Sequence, residues 1–147
     1  MWNGIEDLYI QDTGEKLPPS SLNIYTDMNF TKCLFQSPVL NMEYLIKQMF
    51  VWFNVTEERL SLEKDILTHV DLLRWDYDVY VKEHPVEKWS IPTSILYGGK
   101  DNMQSVDAIQ KFVKAHDCKL AISQSSDHPF MQGEDIKIVC AWLEENI

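Results

Sequence analysis

The sequence is short of glycine. Five occur in 147 residues, at positions 4, 14, 98, 99 and 133, so any motif built on several close glycines can be tested by inspection. Cysteine is scarcer still. Cys33, Cys118 and Cys140 are odd in number, far apart and set in apolar runs rather than in Cys-x-x-Cys pairs, and they read as reduced core thiols. Positive charge is lacking as well: thirteen Lys and Arg face twenty-three Asp and Glu, a formal net charge of -10. That is the wrong sign for neutralising phosphates or lying on an anionic membrane, which argues against a nucleic-acid partner. No apolar run reaches the ~20 residues of a membrane span. Residues 1–10 carry Glu6 and Asp7 and show neither a basic start nor a long apolar stretch, so no signal or transit peptide is visible and a cytoplasmic location is expected. Without such a signal, the sequons Asn29–Thr31 and Asn54–Thr56 read as chance matches.

What is present is apolar mass. Hydrophobic residues make up 45% and aromatics 12%, enough to bury a core, and the length fits a single domain over 1–147. Residues 1–30 are the least interpretable segment. Beyond them, Lys32–Gln36, Thr93–Tyr97 and Lys119–Ser123 read as three short core strands bounded by Pro38, Pro92 and Gly98-Gly99. Ser105–His116 and Glu134–Glu145 carry apolar residues at helical spacing. Strands alternating with helices predict an α/β fold, a short parallel sheet of about three strands flanked by helices.

The insertion 39–90 has two characters. Asn41–Val55 has only Glu43 and Lys47 as charges, so a helix there is apolar on most of its circumference and is expected to be covered on several sides. Thr56–Lys88 is charged and aromatic, with Thr56 as N-cap and His84-Pro85 as stop, and reads as shorter helices packed over the first. Together they predict a helical lid.

Two residues stand where open α/β sheets gather their ligands, just past the ends of neighbouring strands. Asp101 follows strand 93–97 and His128 follows strand 119–123. A carboxylate behind an imidazole orients it and stabilises its charged form, as a general base for a nucleophile requires. The plainer alternative is a turn in which Asp101 or Asn102 caps the next helix, with His128 an ordinary loop histidine. Other groups point to less. His69, Asp71, Asp76, Asp78 and His84 are close in sequence but match no metal-ligand spacing and read as a solvated acidic face, so no metal and no other cofactor is expected. His116 is expected to interact with the C-terminus of its own helix. Trp75, Tyr77, Tyr80 and Trp89 read as packing residues.

The stretches Ile91–Asp101, Ser126–Phe130 and Phe35–Met42, with the final helix, resemble the C-terminal part of an α/β-hydrolase, from about Leu34 to Ile147. The resemblance implies a serine hydrolase that cleaves small carboxylic esters or related acyl bonds, with Asp101 as acid, His128 as base and 39–90 as lid. In that family the nucleophile stands on a G-x-S-x-G elbow upstream of these segments. No serine here has glycine at both minus two and plus two, and no HGGG-type loop is recognisable. The chain is thus expected to be catalytically incomplete by itself, with a small acyl or ester ligand as its partner. The alternative is a non-catalytic interaction or regulatory module built on the same fold. Without the strand that neighbours Lys32–Gln36 in the family, one sheet edge is left open, and a homo-oligomer through that edge is expected unless residues 1–30 fold back and supply the covering strand.

Overall fold

A computed structural model of the chain describes residues 31–147 apart from Glu87. The expectations for residues 1–30 lie outside the described residues. The described chain divides into two compact units, 42–86 and 31–41 with 88–147.

The second unit holds the sheet. Strands β1 (Cys33–Gln36), β4 (Thr93–Gly98) and β5 (Lys119–Ser123) run parallel in the order β1-β4-β5, so the three predicted strands form one parallel sheet. The register pairs Phe35 with Ile95 and Leu96 with Ala121. All six residues of β4 are buried, as befits a central strand covered on both faces. The strand's start is fixed by a short relay: Trp89 Nε1 donates to Thr93 Oγ1 at 2.7 Å, and that hydroxyl donates to the Ile91 carbonyl at 2.8 Å. β1 ends at Ser37, whose φ of 42° is left-handed and whose amide donates to the Leu96 carbonyl at 2.8 Å. The turn and Pro38 together stop the strand.

Helix α4 (Val106–Ala115) begins at Ser105, whose Oγ accepts from the Ala108 amide at 3.2 Å, an ordinary N-cap. Ile109 and Phe112 form its buried stripe, and Asp117, at φ 51°, turns the chain out of it. Helix α5 (Asp135–Asn146) closes the chain. Its Trp142 packs with Leu96 and Phe130, and Leu34, Ala121, Ile138, Val139 and Leu143 surround them. Each such side chain stabilises by about 1.5–3 kcal/mol when fully buried, so this cluster is what fastens the last helix to the sheet.

The first unit departs from expectation. Helix α1 (Met42–Trp52) forms as predicted and buries Leu45 and Ile46, but Val51 is 75% exposed and Trp52 is exposed as well. Its last turn is covered on one side only, where Met49 and Phe50 pack on Val55, Leu60, Ile66 and Leu73. Thr56 caps α2 (Glu57–Glu63) by accepting from the Arg59 amide at 3.1 Å, again as predicted. The segment that follows is not all helix: β2 (Asp65–Leu67) and β3 (Leu72–Arg74) pair as an antiparallel ribbon before α3 (Trp75–Glu83). Three-residue strands are too short for an alternation to stand out. What closes the ribbon is Thr68, whose hydroxyl donates to the Asp71 carbonyl at 2.7 Å and accepts from the Asp71 amide at 2.9 Å. Ile66 and Leu73, opposite each other, point into a cluster with Val55 and Leu60.

Candidate active site

The site rests on two adjacent glycines. A Cβ on Gly98 would stand 2.5 Å from the Asp127 carbonyl oxygen and 2.8 Å from that of Ser126, so only glycine lets the loop after β5 lie on the end of β4. The loops are then stitched together by backbone hydrogen bonds: Gly99 N donates to Ser123 O at 2.8 Å, and Lys100 N to Ser126 O at 2.9 Å. This seam places Asp101 and His128 on facing turns.

The Asp101 side chain is fully buried and divides its two oxygens between two tasks. Oδ1 accepts from the amides of Met103 at 2.8 Å and Gln104 at 3.4 Å, which locks the carboxylate against its own turn. Oδ2 stands 2.8 Å from His128 Nδ1. A carboxylate oxygen can only accept, so Nδ1 carries the proton and Nε2 is the unprotonated nitrogen of the neutral ring. The turn contacts and the carboxylate–imidazole contact are therefore both made, by different oxygens. Helix capping is not, because Ser105 caps α4. The His128 side chain is 19% exposed. Behind it Phe130, at φ 52°, sends its ring into the core with Leu96 and Trp142, so the turn carrying the histidine is anchored within two residues.

Two supports were not legible in the sequence. Gln104 is buried, and its Oε1 accepts from the Leu40 and Asn41 amides at 3.2 and 2.9 Å while its Nε2 donates to the Asn41 carbonyl at 3.0 Å. It ties the segment after β1 to the Asp101 turn, and Tyr97 Oη donates to its carbonyl at 2.7 Å. The second is Ser126, which donates to Asp135 Oδ1 at 2.5 Å and lies 2.6 Å from the Ser123 hydroxyl. Asp135 had a visible sequence signal, an acid in the first turn of a helix, but helix-dipole chemistry explains that signal equally well.

The remaining candidates disperse. His69 packs edge-on against Phe53, Asp71 accepts from the Leu72 amide, Asp76 accepts from the Tyr77 amide, Asp78 pairs with Lys82, and His84 Nδ1 donates to the Tyr80 carbonyl. Among the described residues no three His, Cys, Asp or Glu side chains converge as metal ligands. His116 is the C-cap of its helix, its amide donating to the Phe112 carbonyl at 3.0 Å, while its ring Nδ1 donates to the Trp89 carbonyl at 3.1 Å. Trp89 is buried beside Phe35, and Trp75 packs on the Val55 cluster. All three cysteines are free, but none is a fully buried core thiol: Cys33 and Cys118 are half-buried, and Cys140 is exposed on the outer side of α5. Burial pushes the Cys33 and Cys118 thiols up, helped at Cys118 by the neighbouring Asp117 charge, which makes them poor nucleophiles.

Among the described residues no helix is long and apolar enough to cross a membrane. No protein-family model and no curated protein sequence matches the chain. Solved structures do match its shape. Mouse alpha/beta hydrolase domain-containing protein 10 superposes with a TM-score of 0.62 at 12% identity, over 95% of this chain and 65% of the mouse chain. Est1E from Butyrivibrio proteoclasticus, solved with ferulic acid bound, gives 0.59 at 17% identity over 79% of this chain and 49% of its own. The chain thus spans between about half and two thirds of the structures it resembles. At this identity the likeness is one of fold, and the fold is a partial α/β-hydrolase fold.

Proposed function

We propose, from the α/β-hydrolase fold that this chain in part reproduces, that Asp101 and His128 are the acid and base of a site for hydrolysing a small carboxylic ester or related acyl bond. The observation that carries the reading is the 2.8 Å contact between Asp101 Oδ2 and His128 Nδ1, made by turns that leave adjacent parallel strands at one rim. In this reading His128 Nε2 takes the proton of a serine hydroxyl and later returns it to the leaving alcohol, while Asp101 holds the tautomer and stabilises the imidazolium. The serine and the oxyanion donors are not offered by any G-x-S-x-G or HGGG-type stretch of these 147 residues, so the chain is catalytically incomplete by itself. Ferulic acid in Est1E, a carboxylic acid, supports an ester of that size as substrate. The insertion keeps the role of lid. The open edge at β1, hydrogen-bonded on one side only among the described residues, supports a homo-oligomer, which light scattering after size exclusion would show as a mass above one chain.

The test has two arms. Nitrogen-15 spectra of the histidine rings are expected to show neutral His128 as the Nδ1–H tautomer, and Asp101→Ala to abolish that preference; an Nε2–H tautomer in the native chain would overturn the acid–base reading. The purified chain is expected to cleave p-nitrophenyl acetate no faster than His128→Ala and to resist a fluorophosphonate probe. Stoichiometric labelling of one serine would overturn catalytic incompleteness while leaving the pair intact.

A further inference from the structure

The loop that carries His128 runs from the end of β5 at Ser123 to the start of α5 at Asp135. One carboxylate spans it. Asp135 is 3% exposed; its Oδ1 accepts the Ser126 hydroxyl at 2.5 Å and its Oδ2 accepts the Gln132 amide at 2.7 Å. Residues 126 and 132 flank the histidine on either side, so the two oxygens close the loop into a ring with His128 inside it. A serine hydroxyl has one proton, and that of Ser126 goes to Asp135, so the 2.6 Å contact between hydroxyls is a donation from Ser123 to Ser126. The relay thus begins on the strand and ends on the helix. Ser126 is also where the loop meets the acid turn, because its carbonyl accepts from Lys100 N one residue before Asp101.

Helix-dipole stabilisation does not account for this. A carboxylate serving only the dipole would do as well in solvent, whereas here both oxygens are buried on a hydroxyl and an amide of the histidine loop. Burying a carboxylate is costly unless its hydrogen bonds are made, so the arrangement persists because loop and carboxylate fix each other. We infer that Asp135, acting through Ser126 and Gln132, is the positioning residue that sets His128 Nδ1 at hydrogen-bonding distance from Asp101. The inference rests on the acid–base reading of that pair.

Asp135→Ala is the test, read on the His128 ring by nitrogen-15 spectroscopy alongside amide exchange of β4 and β5. The Nδ1 proton is expected to be protected from exchange in the native chain and to exchange rapidly in Asp135→Ala, with the strand amides still protected. Asp135→Asn, which keeps one accepting oxygen, is expected to restore part of the protection. An Nδ1 proton equally protected in Asp135→Ala would overturn the positioning role. Absence of a protected Nδ1 proton in the native chain would instead overturn the acid–base reading, so the two failures are distinct. If Asp135→Ala does not fold, Ser126→Ala, which keeps the Gln132 contact, is expected to show the same loss, and an unchanged Nδ1 proton there overturns the proposal.

Discussion

Besides Asp101, each unit of the chain buries a carboxylate, and Asp135 and Asp78 are served differently. Asp135, in the sheet unit, has each oxygen on a neutral donor, the Ser126 hydroxyl and the Gln132 amide. Asp78, in the unit of residues 42–86, has Oδ2 on Lys82 at 2.8 Å while Oδ1 is buried without a hydrogen-bond partner among the described residues. The rim of the sheet is thus held mainly through hydrogen bonds that fix distance and direction, although Asp127 Oδ1, beside His128, has no hydrogen-bond partner among the described residues either. The other unit is held by a compact apolar cluster and by ion pairs at its surface, Arg59 with Glu63 and Arg74 with Asp65 and Asp76. Exposed pairs of that kind contribute little. A site that must hold two side chains in register needs the first type of construction, and it is found where Asp101 and His128 stand.

The largest expected effects come from the apolar anchor of each unit. Phe130→Ala removes the ring that tethers the histidine turn and is expected to cost about 3–5 kcal/mol; Leu60→Ala, at the centre of the ribbon cluster, about 2–5 kcal/mol. Urea melts give both numbers. The comparison becomes sharper if only Phe130→Ala also exposes the His128 Nδ1 proton to exchange, and breaks if Leu60→Ala does so equally. A smaller loss is expected from Gly98→Ala, whose new methyl meets the Ser126 and Asp127 carbonyls. Overpacking of this kind costs about 1–3 kcal/mol, and the backbone seam cannot yield without parting Lys100 N from Ser126 O. Gly133→Ala is the control, since nothing lies within 4 Å of a Cβ there, and its urea midpoint is expected to stay within about 0.5 kcal/mol of the native chain.

The sequence disclosed the frame and the pair because both depend on local signals. Strand runs ended by Pro38 and Gly98-Gly99, the Ser105 and Thr56 caps, and the placing of Asp101 and His128 after successive strands are all short-range patterns. It did not disclose the β2–β3 ribbon, because three residues carry no usable period, nor the exposure of Cys140, because an apolar neighbourhood in sequence does not say which side of a helix is covered. Gln104 and Asp135 were hidden for a related reason. Each is polar, each lies beside a turn, and only the three-dimensional path shows that it is buried and bonded to a second segment, Gln104 to Leu40 and Asn41 and Asp135 to Ser126.

The last prediction concerns the weaker of the two carboxylates. Lys82 Nζ reaches Asp78 at 2.8 Å and Glu57 at 2.7 Å. Burial draws its pKa down, but the two carboxylates outweigh it and hold the ammonium above the ordinary lysine value. Lys82→Met would leave Asp78 buried with no cation beside it, and is expected to cost about 1–3 kcal/mol. A base whose folded pKa is raised contributes in full below its unfolded value, about 10.4, and its contribution is lost as pH climbs through the higher folded value. The gap in stability between native chain and Lys82→Met is therefore expected to stay constant from pH 7 to about 10 and to narrow above that. The double variant Asp78→Leu with Lys82→Met removes the stranded charge along with its partner, and is expected to recover most of the loss, as replacing a buried pair by apolar groups often does. Failure of the double variant to recover would mean that Asp78 is engaged as specifically as Asp135, and the contrast between the two units would no longer hold.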